Sequence, residues 1–371
     1  MLRILERFFK RGLASLLRIF FHSSPPGDVA SFSPSTILLI RQHNQMGDML
    51  CVVPLLRALR ARYPASKITL MASPVNYEIM LHSRYLDSVL LYDKSELLYK
   101  GRIRLKALTE LVKSLWGKFD MAIVPGTVST SFTSDLLAFL TRAHVRIGVA
   151  SLNGRENPAS FLFNVPVPLD WRGDPHRHQT LRNLDLMASY GLTTSDLRHE
   201  ITLTEMECEG GQKKAARIRS GKRLLFGFHP GAGKPPNRWP TERFVELINL
   251  LLVRYDAAAF VTAGPMDEEV IDILLNTAKQ SIELVENQSI RTVASIIKEA
   301  NLYVSNDTGL LHVAAGIGAP LVGLFGPTDL LQWAPRGENI RSIQGKGGSI
   351  AEIEVEQVFR CANELLEKAD R

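Results

Sequence analysis

The residues best placed to do chemistry lie in the stretch 302–329, LYVSNDTGLLHVAAGIGAPLVGLFGPTD. Asp307, Thr308 and Gly309 follow an apolar strand pattern and open a helical one. A helix N-terminus presents unpaired N–H groups and the positive end of its dipole, which suits a diphosphate, and Thr308 adds a hydroxyl. The small residues Ala314, Ala315 and Gly316 let that helix pack closely beneath. Gly326-Pro327-Thr328 follows the next strand and reaches the same edge, so Thr328 joins the set. Two adjacent strand ends with phosphate-type loops point to ligand binding rather than chain punctuation.

Three other strand ends carry candidate groups. HPGAGKPPNRWP, at 229–240, has Gly231 and Gly233 for close backbone approach and Lys234 and Arg238 for charge. AGPMDEE, at 263–269, offers acids that either hydrogen-bond a ribose or favour a helix N-terminus. After the first strand, RQHNQMGDML places Asp48 behind Gly47 at the start of a helix, as an acid at a ligand-facing strand end or as a helix cap. There is no GxxxxGK[ST], and no GxGxxG after the first strand, which disfavours P-loop and dinucleotide-binding readings.

The elements that must hold these groups alternate regularly. Short apolar runs at 36–41, 67–72, 88–92, 120–124 and 145–149 predict strands, with helical spacing over 49–63, 102–117 and 129–141. A second series places strands at 224–229, 257–262, 282–285, 302–305 and 320–325. Strands that are apolar on both faces, separated by helices, signal parallel sheets covered on both sides. The expected organisation is α/β, with two Rossmann-like domains facing a central cleft. An N-terminal Rossmann-like domain spans 36–204, a joint 205–222 and a C-terminal Rossmann-like domain 223–350. A final helix over 351–371 is expected to pack back toward the first domain.

The first 35 residues differ in kind. On a helical wheel, Ile4, Leu5, Phe8, Phe9, Leu13, Leu16, Ile19 and Phe20 share one face. Arg3, Arg7, Lys10, Arg11 and Arg18 share the other, the pattern of a helix lying in an anionic membrane surface or packed on its own domain. Arg18 interrupts the only apolar run and no A-x-A site follows, so neither a span nor a signal peptide is expected. Residues 23–35 are a Pro/Ser/Gly linker. The chain has 371 residues and a net charge of +6, of which residues 1–22 hold most. The nearly neutral remainder argues against nucleic-acid binding. Cys51, Cys208 and Cys361 form no CxxC pair, so no zinc site is expected, and scattered thiols suit the cytoplasm.

Arg41, Gly47, Asp48 and Pro54, followed by HPGA…RWP, AGPxxE, NDTGxxH and LFGPTD, together resemble glycosyltransferase family nine, the lipopolysaccharide heptosyltransferases. The resemblance covers about residues 36–350. It implies a GT-B fold and inversion at the anomeric carbon without a catalytic metal or cofactor. The implied donor is a nucleotide sugar, ADP-heptose in the best-known members, and the implied acceptor a glycolipid at the inner face of the inner membrane. By resemblance Asp48 is the general base, Asp307 contacts the donor sugar, and Thr308 and Gly309 form the diphosphate turn. Glu268, with Asp267 or Glu269 as alternatives in register, matches the ribose-contacting acid. Many members carry Lys where this chain has Asn237, and Lys234 or Arg238 is then the replacement cation. Arg155, His178 and Arg182, in a cationic cluster at 151–182, are acceptor candidates or a solvated face. Three alternatives remain: a family member with another nucleotide sugar and acceptor, a non-catalytic nucleotide-sugar-binding protein, and a nucleotide-sugar epimerase.

Overall fold

The computed structural model describes residues 27–99 and 102–369, so the basic segment 1–22 lies outside the described residues. The chain divides into two compact units. The first holds 27–44, 51–77 and 83–196; the second holds 45–50, 78–82 and 197–369.

The first unit is built on β1 (Thr36–Arg41), β2 (Lys67–Ala72) and β3 (Ser88–Leu91), then a small antiparallel pair, β4 (Leu98–Tyr99) and β5 (Arg102–Ile103). It continues with β6 (Met121–Val124), β7 (Val145–Leu152), β8 (Arg155–Glu156) and β9 (Val165–Leu169). The main sheet runs β3-β2-β1-β6-β7-β8, with β9 also paired to β7. Ile37 aligns with Ile68 on one side and Met121 on the other, both in parallel register. Ile37, Leu38, Leu39 and Ile40 are all buried, as the unbroken apolar run requires for a strand covered on both faces. The proline-rich stretch after β7 contributes β9, VPVPL. It pairs with β7 alone, and prolines are tolerated on such an edge because the missing N–H groups can face away from the ladder.

The second unit has β10 (Leu224–His229), β11 (Ala257–Thr262), β12 (Ile282–Val285), β13 (Leu302–Asn306), β14 (Leu321–Phe325) and β15 (Ile340–Gln344). All are parallel, in the order β12-β11-β10-β13-β14-β15. The order reverses between β10 and β13, and ligands of such sheets collect outside the strand carboxyl ends at that point. One face of the sheet buries Phe226 and Phe228 against Phe244 and Leu251 of helix Thr241–Arg254. The other buries Leu225 and Tyr303 against Ile297 of helix Ile290–Lys298 and Leu311 of helix Gly309–Gly316. Each such side chain contributes about 1.5–3 kcal/mol through burial.

Three expectations about organisation need correction. The helix expected over 49–63 is two, Met46–Leu50 and Val53–Arg62. Pro54 stands in the first turn of the second. Its ring and missing N–H are tolerated there but would break a continuous helix. The joint expected at 205–222 is helix Glu205–Arg219, started by a capping box between Thr204 and Glu207. It packs on helix Ile290–Lys298, so it belongs to the second unit. Gln45–Leu50, expected in the first domain with Asp48, also groups with the second unit. The last helix, Val355–Ala369, buries Val358, Ala362, Leu365 and Leu366 in the core formed with helix Thr241–Arg254.

Candidate active site

The carboxyl ends of β10, β11 and β13 frame a cavity of about 700 Å³ in the second unit, lined among others by Met46, His229, Gly233, Glu268, Thr308 and Gly309. Thr308 is the extended residue that precedes helix Gly309–Gly316, with φ −143° and ψ 175°. Its hydroxyl does not cap the helix. The Oγ1 atom is buried without a hydrogen-bond partner. Leaving such a group unmade costs about 1–3 kcal/mol, so a bound acceptor of hydrogen bonds would relieve it. The first N–H groups of the same helix face the same need.

Asparagine side chains hold the loops that surround this turn. Asn306 Nδ2 donates to the Pro230 carbonyl at 2.8 Å, and its Oδ1 accepts from the Trp239 N–H at 3.2 Å. The NDTG and HPGA…RWP loops are thereby fixed to each other. Trp239 is fully buried and its indole N–H donates to the Ile353 carbonyl. Asn237 Nδ2 donates to Asp307 Oδ2 at 3.2 Å and to Thr328 Oγ1 at 3.3 Å. Burial pushes the Asp307 carboxyl above its usual range, opposed by a hydrogen bond from Thr328 and the charge of Lys234. Position 237, noted in the sequence only for lacking Lys, is a neutral link between two candidate donor residues.

The cationic candidates divide. Lys234 is exposed and acts on Asp307 through its charge. Arg238 donates from Nε to the Ala232 carbonyl at 2.8 Å, so one of its N–H groups shapes the loop itself. Among the acids after β11, Asp267 is buried and accepts from the Gly264 N–H at 2.8 Å. A Cβ at Gly231 would come within 2.3 Å of that carboxylate, so glycine there lets two loops touch. Glu268 is exposed and lines the cavity, which makes it the acid free of this turn-closing bond. His229 escaped the sequence reading. It is buried, and Nδ1 lies 3.0 Å from the Thr262 carbonyl, which leaves Nε2 as an acceptor in the neutral ring. Burial holds its pKa below the usual imidazole value, against the Thr262 carbonyl and the charge of Asp267.

Asp48 occupies the first turn of helix Met46–Leu50, inside the helix rather than at its cap. Helix Met46–Leu50 packs on helix Gly309–Gly316. Contacts at two glycines set the approach. A Cβ on Gly309 would lie 2.6 Å from Met46 Cε, and one on Gly47 would lie 2.7 Å from His312 Cδ2. The turn carrying Asp48 and the diphosphate-type turn are therefore built on one pair of helices.

The acceptor candidates in the first unit are mostly engaged in the fold. Arg182 is buried, donates to the Pro175 carbonyl at 2.7 Å and lies 4.7 Å from the centre of the Trp171 ring. His178 is buried and caps helix Gln179–Ala188 by accepting from the Thr180 N–H. Both side chains make these contacts within the first unit. Arg155 alone of the three is exposed, on β8. A separate cavity of about 610 Å³ in this unit lies past the ends of β1, β2 and β3, lined by Gln42, His43, Ser73, Tyr92, Asp93 and Lys94 among others.

A family model for glycosyltransferase family 9 (heptosyltransferase) matches residues 108–362, more than two thirds of the chain. The chain belongs to this family. It is a glycosyltransferase. It is 26% identical over 360 residues to lipooligosaccharide heptosyltransferase 2 of Haemophilus influenzae, covering 89% of this chain and 99% of that protein. It is 28% identical over 304 residues to lipopolysaccharide heptosyltransferase 2 of Escherichia coli K12, covering 78% of this chain and 83% of that one. A family 9 glycosyltransferase of Veillonella parvula superposes with TM-score 0.77 at 20% identity, over 90% of this chain and 97% of that one. The E. coli ADP-heptose heptosyltransferase II superposes with TM-score 0.74 at 23% identity, over 91% and 100%. These likenesses, with the two parallel-sheet units, give the glycosyltransferase the GT-B fold.

Proposed function

We propose that this glycosyltransferase moves a heptose from ADP-heptose to a lipopolysaccharide-core acceptor, with inversion and without a catalytic metal. The observation that carries the reading is the buried, unpartnered Thr308 hydroxyl at a helix N-terminus opening on a large cavity. It offers the donor diphosphate a hydrogen bond where charge builds up as the sugar leaves. Glu268 is assigned to the donor ribose, Asp307 to the donor sugar, and Lys234, Arg238 and Thr328 to the phosphate side. Asp48 is the base. Its carboxylate takes the proton of the acceptor hydroxyl as that oxygen bonds to the anomeric carbon. The bond from that carbon to the diphosphate oxygen breaks, and the electron pair leaves with the nucleoside diphosphate.

The acceptor is assigned to the first unit, with Arg155 as its exposed cation. The chain is placed at the cytoplasmic face of the inner membrane, held there by residues 1–22. No described helix is long and apolar enough to cross a membrane. Calorimetry with a panel of nucleotide sugars, followed by transfer assays in EDTA, tests this reading. It expects ADP-heptose to bind tightest and to be consumed only with acceptor present. Preference for another nucleotide sugar would move the chain to a different donor within the family. Conversion without acceptor would indicate an epimerase, and binding without turnover a non-catalytic protein. Loss of activity in EDTA, restored by magnesium, would contradict metal independence.

A further inference from the structure

Helix Leu105–Leu115 in the first unit has three faces of different character. Leu115 is fully buried and Leu111 packs partly into the same core. At 100° per residue the next stripe holds Leu105, Leu108, Val112 and the following residue, Trp116. Leu105 is 73% and Trp116 51% exposed at its two ends, and Leu108 and Val112 between them are half-buried. Lys106 and Lys113 adjoin it, both exposed, and Arg104 and Lys118 stand at the helix termini. The Arg142 guanidinium lies 4.9 Å from the Trp116 ring centre. Across residues 104–118 the only acidic side chain is Glu110.

We propose that this stripe is a docking surface for an anionic phospholipid membrane. An exposed apolar row ending in tryptophan and bordered by lysines matches the two layers of a lipid interface. The row enters the acyl boundary while the ammonium groups meet the phosphates. A protein partner would be expected to cover a larger and less charged patch, because interface cores are depleted in lysine. Helix Leu105–Leu115 packs against helix Lys94–Leu97, and the 610 Å³ cavity of the same unit is lined in part by Asp93, Lys94 and Ser95. A surface-bound first unit would thus offer that cavity to a lipid-linked acceptor. The proposal deepens the membrane reading above and rests on its lipid-linked acceptor. It is separable from residues 1–22, which contain no tryptophan.

The test uses the full chain with vesicles of phosphatidylcholine and phosphatidylglycerol, part of the phosphatidylcholine brominated near the glycerol end of its acyl chains. Tryptophan emission should be quenched by the brominated vesicles, and Trp116→Phe should remove most of that quenching. The double variant Lys106→Glu/Lys113→Glu should lower the vesicle-bound fraction by about tenfold or more at low salt. Sedimentation with vesicles but with equal quenching in Trp116→Phe would overturn the docking surface and leave the N-terminal contact standing. No sedimentation at all would remove both. A lipid-free dimer abolished by Leu105→Ser would overturn the proposal by showing that a second copy covers the stripe.

Discussion

The imidazole of His312 lies against Gly47, so close that a Cβ there would fall 2.7 Å from Cδ2 and 2.8 Å from Nε2. His312 also stacks on His199, with ring centres 5.2 Å apart, and both rings are buried. The backbone just before Asp48 is thus set by a side chain of the helix that begins at the Thr308-Gly309 turn. Gly47→Ala should displace the Asp48 turn at an overpacking cost of about 1–3 kcal/mol. Turnover should fall with donor affinity much less affected. Adding His312→Ala should recover part of the loss, and a double-mutant cycle on melting free energy measures the coupling. Strict additivity would show that the two sites are independent.

Asn237 places a neutral amide where its Nδ2 reaches Asp307. A cation in its place favours the ionised carboxylate and lowers the pKa that burial has raised. Asn237→Lys should therefore shift the acid limb of donor binding to lower pH by about one unit or more. Isothermal titration from pH 4 to 8 gives the limb for both proteins. An unmoved limb would mean that Asp307 does not govern it.

Much of this arrangement is legible in the sequence. The central strands of both sheets announce themselves because unbroken apolar runs have only one economical use, a sheet covered on both faces, whereas edge strand β15, IRSIQ, lacks such a run and is not among the expected strands. The Asp307-Thr308-Gly309 turn is legible for the same reason, since a strand end followed by a small-residue helix fixes where the N–H groups point. Other features depend on partners far along the chain. Asn237 and Asp307 are 70 positions apart, so the sequence shows only that a lysine is missing. The cationic run around Arg182 does not show that its guanidinium packs on Trp171 and donates to the Pro175 carbonyl. The helix at 205–219 was open to recognition through Thr204 and Glu207, three apart, but its glycines and charges masked that signal.

Asp135 supplies a pH signature of stability. It is buried in helix Phe132–Leu140 and accepts from Asn157 Nδ2 at 3.0 Å, and burial pushes its pKa up to about 7. A folded-state pKa above the unfolded value gives stability that is complete at low pH. It is lost as pH rises from the ordinary carboxylate range through about 7. Asp135→Asn keeps an acceptor for Asn157 and does not titrate. The variant should gain stability relative to the parent as pH rises over that window, then hold a constant difference above it. Denaturant unfolding of both proteins across pH 4–8 checks this, and a difference independent of pH would refute it.

Thr308→Ala removes the hydroxyl offered to the diphosphate. Donor affinity should fall by about 1.5–3 kcal/mol, the range for a hydrogen bond to a charged group. Stability without ligand should not fall, because the hydroxyl has no partner to lose. Calorimetry and a melting curve on the same preparation separate the two effects. An unchanged donor affinity would place the diphosphate elsewhere.

The most direct measurement is turnover of Asp48→Asn, with donor affinity and melting temperature measured on the same variant. Asn preserves the size of the side chain within helix Met46–Leu50 while removing the base. Loss of a general base predicts a fall in turnover of about 10²–10⁴-fold. Donor affinity and melting temperature should stay close to the parent values. Near-normal turnover would contradict the account, because the transfer would then proceed without the carboxylate assigned to accept the acceptor's proton.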